Sequence, residues 1–239
     1  EKRRIQMAQH HTSTHILNAA ARKILGRHVN QAGAFKDVTH ARIDLTHYEI
    51  PTEEEVEKIE KEANRIVKQA ISIEKKFYSR NEAEHAFGMD IYQGGAVPGK
   101  KLRIVNILGV DVEACGGTHL DNTKEAELIK ILKVTKIQDG VIRLVFVAGK
   151  AAQEEVKDES STLKELESLL HCTKEQIPGR ACELFELWKN IVKKKKDVPK
   201  KFNSLSLYKG DILAETARVL KTQTEHVVKT VERFLKEIN

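Results

Sequence analysis

Apolar residues recur every three or four positions along residues 4–25, and this spacing predicts an amphipathic helix that ends at Gly26. A second helix is predicted over residues 52–70, where Thr52 and Glu55 have the spacing of an N-terminal capping box. In such a box the two side chains satisfy backbone N–H groups that the first helical turn leaves unpaired. The first 70 residues therefore contain two helices with a stretch of different periodicity between them.

Short segments of strand character lie between and after these helices. A short helix capped by Ser79 and Glu82 interrupts them, the run GGAVPGKK is a turn by its composition, and Asp139–Gly140 is a strong hairpin signal. Strands interleaved with helices, with at least one hairpin, predict an α+β fold with a mainly antiparallel sheet and packed helices. The strand segments are HVNQAGAF, ARIDLTHYEI, ISIEKKFYS, LRIVNI, VDVEA, AELIKILKVTKI and VIRLVFVAG.

After about residue 150 the pattern becomes almost wholly helical. We therefore predict a domain of residues 1–150 followed by an all-α domain of residues 151–239, rich in Lys and Glu. Similar residues recur there 50 positions apart, which indicates two copies of a helix, a break and a capped helix. Chance similarity between two Leu- and Glu-rich helices is the alternative. The basic run KKKKDVPKK between the copies is either a solvated linker or a phosphate contact.

Composition narrows the class of protein. Of 239 residues, 40% are hydrophobic and 32% charged, as in soluble globular proteins, and no apolar run is long enough to span a membrane. The net charge of +6 allows a polyanionic partner such as a nucleic acid. Three cysteines do not make a disulfide framework, which favours a reducing cytoplasm. The chain opens with Glu1, without a signal peptide, so we expect an excised fragment.

The run CGGTH is the first candidate for chemistry. Cys115 and His119 offer a thiolate and an imidazole, and the glycines between them let the backbone bend toward one point. His11 and His15 are four residues apart on the first predicted helix and therefore share a face. Each pair alone occurs often by chance, but together they predict a zinc site, either closed and structural or with one position open for water.

Five motifs in this order resemble the editing domain of alanyl-tRNA synthetase and the free-standing AlaX trans-editing proteins: HTSTH, LGRHVNQAGA, ARIDLTHYE, YQGGAVPGKK and CGGTH. The resemblance covers about residues 4–150, and the sequences of these motifs are similar to those of the archaeal type of the synthetase. The tail resembles the helical segment that follows the editing domain. Because the ATP-binding aminoacylation domain has no counterpart in this chain, we expect an editing and helical fragment; a free-standing AlaX-type protein is the alternative.

The resemblance implies hydrolysis of the ester that joins serine or glycine to tRNA(Ala). An alanine pocket rejects glycine by only one methyl group, worth about 1–3 kcal/mol, and rejects an added hydroxyl poorly, so a second site must remove these products. The resemblance also implies that Gln31 positions the substrate or the attacking water, and that zinc is bound by His11, His15, Cys115 and His119.

The remaining candidates each have a plain structural alternative. Thr118 is expected to bond a serine hydroxyl or to hold the turn, and Asp44 with His47 to orient a ligand or to form a strand pair. His10 lies about 100° around the helix from His11 and is expected to contact substrate or solvent. We expect four glycines near the substrate: Gly94, Gly95, Gly116 and Gly117. Gly94 and Gly95 are expected beside its terminal adenosine, or they form a plain turn.

Two other function classes stay open at this stage. One is a non-catalytic, zinc-stabilised tRNA-binding module in which the basic tail makes most of the contacts. The other is a dimerisation element in which the tail helices pair between two chains. Hydrolysis of mischarged tRNA(Ala) by the chain separates the editing function from both.

Overall fold

The chain divides into two compact units, Glu1–Glu154 and Glu155–Asn239. The computed structural model describes residues 1–93, 95, 97–195 and 202–238. The predicted α+β class is confirmed, because helices and antiparallel strands alternate in the first unit and helices alone follow. The described residues include no helix with the length and apolar character that crossing a membrane requires.

The elements of the first unit follow the hydrophobic pattern closely. The capping boxes at Thr52 and Ser79 are both formed, as predicted. The segment before Ile129 turns in a 3-10 helix instead of extending the strand, because Glu127 has a positive φ of 58°. The elements are α1 (Lys2–Leu25), β1 (Gln31–Lys36), β2 (Ala41–Thr46), α2 (Glu53–Lys68), β3 (Ile73–Ser79), α3 (Arg80–Phe87), β4 (Lys101–Ile107), β5 (Asp111–Ala114), β6 (Ile129–Gln138) and β7 (Val141–Ala148).

Two antiparallel sheets organise this unit. One has the strand order β1-β2-β7-β6 and the other β3-β4-β5. The predicted hairpin joins β6 to β7, with Gly140 at a φ of 74°. Fully buried residues of α1, β2 and β7, such as Leu17, Ile43 and Phe146, form one core with α2. The core thereby fixes α1 against the four-stranded sheet.

The middle of α1 is buried although it is polar. Thr12, Ser13, Thr14 and Asn18 are wholly excluded from solvent, and His15 is 1% exposed. Buried polar groups destabilise a fold unless they have hydrogen-bond or metal partners. A polar stripe in the buried part of a helix therefore indicates a candidate functional site. This stripe carries the two histidines predicted to bind metal.

The second unit repeats one motif with boundaries 50 residues apart. A helix ends at Leu170 and again at Leu220, and the helix after each break begins at Ile177 and again at Val227. These boundaries have the same spacing as the predicted internal repeat. Its elements are α4 (Lys150–Leu170), which crosses the unit boundary, α5 (Ile177–Trp188), α6 (Ile212–Leu220) and α7 (Val227–Ile238), with 3-10 turns at Lys174–Gln176 and Thr224–His226.

The apolar residues of both copies meet in a single core. Leu184 of the first copy and Phe234 of the second are both buried, and the Trp188 ring stacks on Phe234 with centroids 4.5 Å apart. In the basic run, the Lys193 ammonium lies 5.2 Å from the centroid of the Trp188 ring, while Lys196 falls outside the described residues.

Candidate metal centre

Two elements bring the predicted ligands together. α1 presents His11 and His15 one helical turn apart, and the glycine turn after β5 presents Cys115 and His119. One ligand atom from each of the four side chains lies within 4.8 Å of all the others. The cluster can therefore hold a metal ion.

The closest approaches within the cluster involve the sulfur atom. Sγ of Cys115 lies 3.4 Å from Nε2 of His11 and 3.3 Å from Nε2 of His119. His11 and His119 also place their ring centroids only 4.0 Å apart. These separations are short enough for the imidazoles and the thiol to bind one metal ion.

The local environment favours the ligand forms of three of the four groups. Burial opposes ionisation of Cys115, but hydrogen bonds from the surrounding imidazoles outweigh it and lower the thiol pKa to about 2. Burial lowers the pKa of His119 to about 3, against the hydrogen bond with Cys115, and burial likewise lowers the pKa of His11. A thiolate and neutral imidazoles are the species that bind transition metals.

His15 differs because two carboxylates face it. Its Nδ1 donates to Oδ2 of Asp111 over 3.1 Å, and its Nε2 lies 3.2 Å from Oε2 of Glu113 as an ion pair. Burial alone would lower the pKa of His15, but the charge of Glu113 and the Asp111 hydrogen bond raise it to about 10. Asn18 donates to the other oxygen of Glu113 at 3.1 Å. His15 thus lies between two acidic side chains.

Thr12 orients the fourth candidate ligand. Its Oγ1 lies 3.2 Å from Nδ1 of His119 and accepts the backbone N–H of Leu120 at 3.1 Å. An imidazole whose Nδ1 is held in this way presents Nε2 to the cluster. The residue that follows His11 in the sequence therefore fixes the ring of His119.

Basic side chains hold the glycine turn. Arg103 on β4 donates from one nitrogen to the carbonyls of Cys115 and Gly117, each at 2.8 Å. Lys75 on β3 donates to the carbonyl of Leu120 at 2.9 Å and pairs with Asp121. The turn is consequently anchored to the three-stranded sheet on both sides of its ligands.

The two glycines of the turn differ in their surroundings. A Cβ atom added to Gly117 would lie 2.0 Å from Cε1 and 2.4 Å from Nδ1 of His11. A Cβ atom added to Gly116 would meet nothing within 4 Å. Gly117 thus makes room for a candidate ligand, and Gly116 is exposed.

The other predicted site residues lie outside the four-ligand cluster. Gln31 begins β1, and its backbone N–H donates to Oε1 of Gln93 at 3.1 Å. Thr118 is exposed beside His119, and Gly95 is exposed with a φ of 123° and open space around it. Gly94 lies outside the described residues.

His10 requires a correction. It is wholly buried, its Nδ1 donates to the carbonyl of Asp37 at 2.5 Å, and its Nε2 accepts from the amide of Gln6 at 3.1 Å. Its ring meets Phe146 edge-on with centroids 6.2 Å apart. With both nitrogens occupied inside the core, His10 contacts neither solvent nor substrate; it ties α1 to the end of β1.

Asp44 and His47 also do not orient a ligand. Asp44 forms ion pairs with Arg42 and Arg143 of the same sheet, which is the strand-pair alternative. His47 stacks on His28, whose Nε2 is 2.8 Å from its Nδ1. Their positions on β2 and just after it direct them to partners other than the four candidate ligands.

Sequence reasoning missed the residues that support the ligands. Asp111, Glu113 and Cys115 alternate along β5 and its continuation, and the period of two in a strand places them on one face. This alternation of two carboxylates and a cysteine along one strand could have indicated that the carboxylates lie beside the candidate ligand. Thr12 carried no such signal, because its partner His119 is 107 positions away in the chain.

We expect Asp111→Asn to weaken metal binding about tenfold to a hundredfold, because an amide cannot hold the Nδ1–H of His15 as a carboxylate does. The dissociation constant, measured by competition with a chromogenic chelator, tests this. Asp139→Asn is the matched control, since its side chain is fully exposed and pairs with Lys136 in the β6–β7 hairpin. Equal affinities in the two variants would exclude a supporting role for Asp111.

Comparison with known proteins assigns the chain to a family. Residues 102–145 match the family model described as the threonyl and alanyl tRNA synthetase second additional domain. The alanine–tRNA ligase of Methanobrevibacter smithii is 44% identical over 209 residues, covering 85% of this chain and 23% of the relative. That of Methanopyrus kandleri is 38% identical over 244 aligned positions, covering 99% of this chain and 27% of the relative. The chain spans about a quarter of the length of these relatives and belongs to the alanyl-tRNA synthetase family.

Proposed function

We propose that this chain hydrolyses the ester of Ser-tRNA(Ala) and Gly-tRNA(Ala) at a zinc centre held by His11, His15, Cys115 and His119. The observation that carries the proposal is the convergence of these four ligand atoms within 4.8 Å, in a chain whose relatives are alanine–tRNA ligases. Similarity over 99% of the chain, including its helical unit, favours a synthetase segment over a free-standing AlaX-type protein. Its three free cysteines suit a reducing cytoplasm.

The donor set supports zinc. Three imidazoles and one thiolate are ligands that zinc prefers. An ideal tetrahedral site with Zn–S of about 2.3 Å and Zn–N of about 2.0 Å has an S···N edge of about 3.5 Å. The two Sγ–Nε2 separations, 3.4 and 3.3 Å, are close to that edge. When bound, zinc would supply a positive charge that helps to position the aminoacyl end of the substrate and to stabilise the negative charge that develops on the ester oxygen.

The chain's own residues provide orientation and selectivity. Gln31 has a side-chain amide that both donates and accepts, and we assign it to the ester carbonyl or the attacking water. Water adds to the carbonyl carbon, the C–O ester bond breaks, and the tRNA hydroxyl leaves with a proton. Thr118, exposed beside His119, is assigned to the serine hydroxyl that an alanyl ester lacks.

A combined metal and hydrolysis assay tests the proposal. The purified chain is expected to hold one zinc ion and to release serine and glycine from charged tRNA(Ala) much faster than alanine. Hydrolysis that is absent in the zinc-loaded chain, with tRNA binding retained, would favour the non-catalytic binding module. Equal rates on all three esters would refute the assigned selectivity, and concentration-dependent association without either activity would favour the dimerisation element.

We expect Gln31→Ala to lower kcat/KM for Ser-tRNA(Ala) about tenfold to a hundredfold while zinc content stays unchanged, because the substrate or water loses its alignment. Gln138→Ala, an exposed glutamine at the end of β6, is the matched control. Steady-state hydrolysis and metal analysis on the same samples provide the measurement. Full activity in a zinc-loaded Gln31→Ala protein would remove Gln31 from the site.

A further inference from the structure

We propose that Lys36 binds the phosphate on the 5′ side of the terminal adenosine of the aminoacyl-tRNA, as a substrate-binding residue beside the metal centre. This inference rests on the proposed editing function and names the part of the substrate that one further side chain recognises. Lys36 is the last residue of β1 and has no part in the ligand cluster.

Strand register directs Lys36 toward α1. In the β1–β2 pair, Lys36 lies opposite Ala41 and Ala34 lies opposite Ile43. Ala41 and Ile43 are wholly buried in the core that α1 covers, and side chains directly opposite each other in a sheet share one face. Phe35, opposite Arg42, is on the other face and is 46% exposed. The aliphatic stem of Lys36 therefore lies on the inner side of the sheet.

The end of β1 is fixed next to the candidate ligands. The carbonyl of Asp37 accepts the Nδ1–H of His10 at 2.5 Å, and His10 directly precedes His11 on α1. This bond places the residue after Lys36 against the helical turn that carries the first ligand. Gln31, at the opposite end of β1, lies opposite buried Leu45 because the register shifts between Gln31 and Gly33, and this shift places Gln31 on the inner face with Lys36.

Lys36 has charge without a local ion pair. In the part of the chain that the structure describes, it makes no salt bridge, whereas Lys23 pairs with Glu62 and Lys75 with Asp121. Burial lowers the pKa of Lys36, and the charges of Cys115 and Glu113 only partly oppose this effect. A partly buried ammonium near the cluster without a hydrogen-bonded anion is costly, and a bound anion would remove that cost.

The substrate offers one kind of anion near the reacting ester. The aminoacyl group carries an ammonium and the adenosine is neutral, so the nearest negative charge is the phosphate at the 5′ position of that adenosine. A lysine binds phosphate as a point charge, and the interaction is stronger where water is partly excluded. Lys36 thus holds the nucleotide while Gln31, on the same face of β1, meets the ester.

The test compares two substrates that differ in phosphate. Lys36→Met retains the stem and removes the charge, and Lys68→Met, at the exposed end of α2, loses the same charge elsewhere. For Ser-tRNA(Ala), Lys36→Met should lower kcat/KM about tenfold to a hundredfold, mainly through KM, and Lys36→Arg should restore most of it. For 3′-O-seryl-adenosine, which has no phosphate, the Lys36→Met and wild-type rates should be equal.

Several results would overturn the inference. Equal losses on both substrates would place Lys36 at the reacting ester, and a loss of zinc would make it a charge-balancing group of the metal centre. Binding of AMP and of adenosine gives a readout that does not need hydrolysis. The wild-type chain should prefer AMP and Lys36→Met should not, whereas equal preference refutes the assignment. Absent hydrolysis by the wild type on Ser-tRNA(Ala), with the AMP preference intact, would refute the proposed function alone.

Discussion

Cys115→Ala is expected to abolish stoichiometric zinc binding and to reduce hydrolysis of Ser-tRNA(Ala) by more than about a hundredfold. Cys115 supplies the only thiolate of the four candidate ligands, and its Sγ lies within 3.4 Å of the two nearest imidazole nitrogens. Changes to outer partners of a metal site already cost about 10–100-fold in affinity or activity, and a direct ligand costs more. Metal analysis by atomic emission, paired with the deacylation rate, measures both effects.

Cys182→Ala provides the matched control for this substitution. Cys182 is an exposed free cysteine of α5, in the other unit, and should keep both zinc and activity when replaced. One zinc ion per chain and normal hydrolysis in Cys115→Ala would show that sulfur is not a ligand. Retained zinc with lost hydrolysis would instead give Cys115 a role in the reaction.

Gly117→Ala is expected to lower zinc affinity by a factor comparable to the loss of about a hundredfold in hydrolysis that is expected for Cys115→Ala. Glycine itself provides no ligand, so the effect is steric. The new methyl group would lie 2.0 Å from Cε1 of His11, far inside the 3.0 Å below which real Cβ contacts essentially do not occur. The carbonyl of Gly117 is held by Arg103 at 2.8 Å, so the turn resists moving and the imidazole has to leave. Removal of His11 from the cluster leaves three ligands.

Gly116→Ala separates this steric effect from a general loss of turn flexibility. Its added Cβ meets nothing within 4 Å, and Gly116 has no positive φ, so the variant should bind zinc as the wild type does. The zinc dissociation constant by chelator competition is the measurement, with circular dichroism to compare folding. Equal zinc affinity in Gly117→Ala and Gly116→Ala would mean that His11 is not required at its present position.

Local patterns in the sequence determined the elements and the residue types of the site. Capping boxes at Thr52 and Ser79 and the Asp139–Gly140 hairpin depend on residues a few positions apart in the sequence. They can therefore be predicted without a structure. The histidine pair on α1 depends only on the helical period. The repeat at a spacing of 50 residues was likewise predicted from the sequence, and the helix boundaries of the second unit share that spacing.

Tertiary structure decided which of these residues meet. The order β1-β2-β7-β6 joins strands about 100 residues apart, and no short-range period encodes such a pairing. The four-stranded sheet buries His10 against Phe146 and turns Lys36 inward, while the turn after β5 of the other sheet brings His119 beside Thr12. The sequence by itself determined the candidate ligands, because their chemistry resides in single side chains. Their supports were decided only by the fold, because a hydrogen bond between distant segments depends on where the backbone brings them.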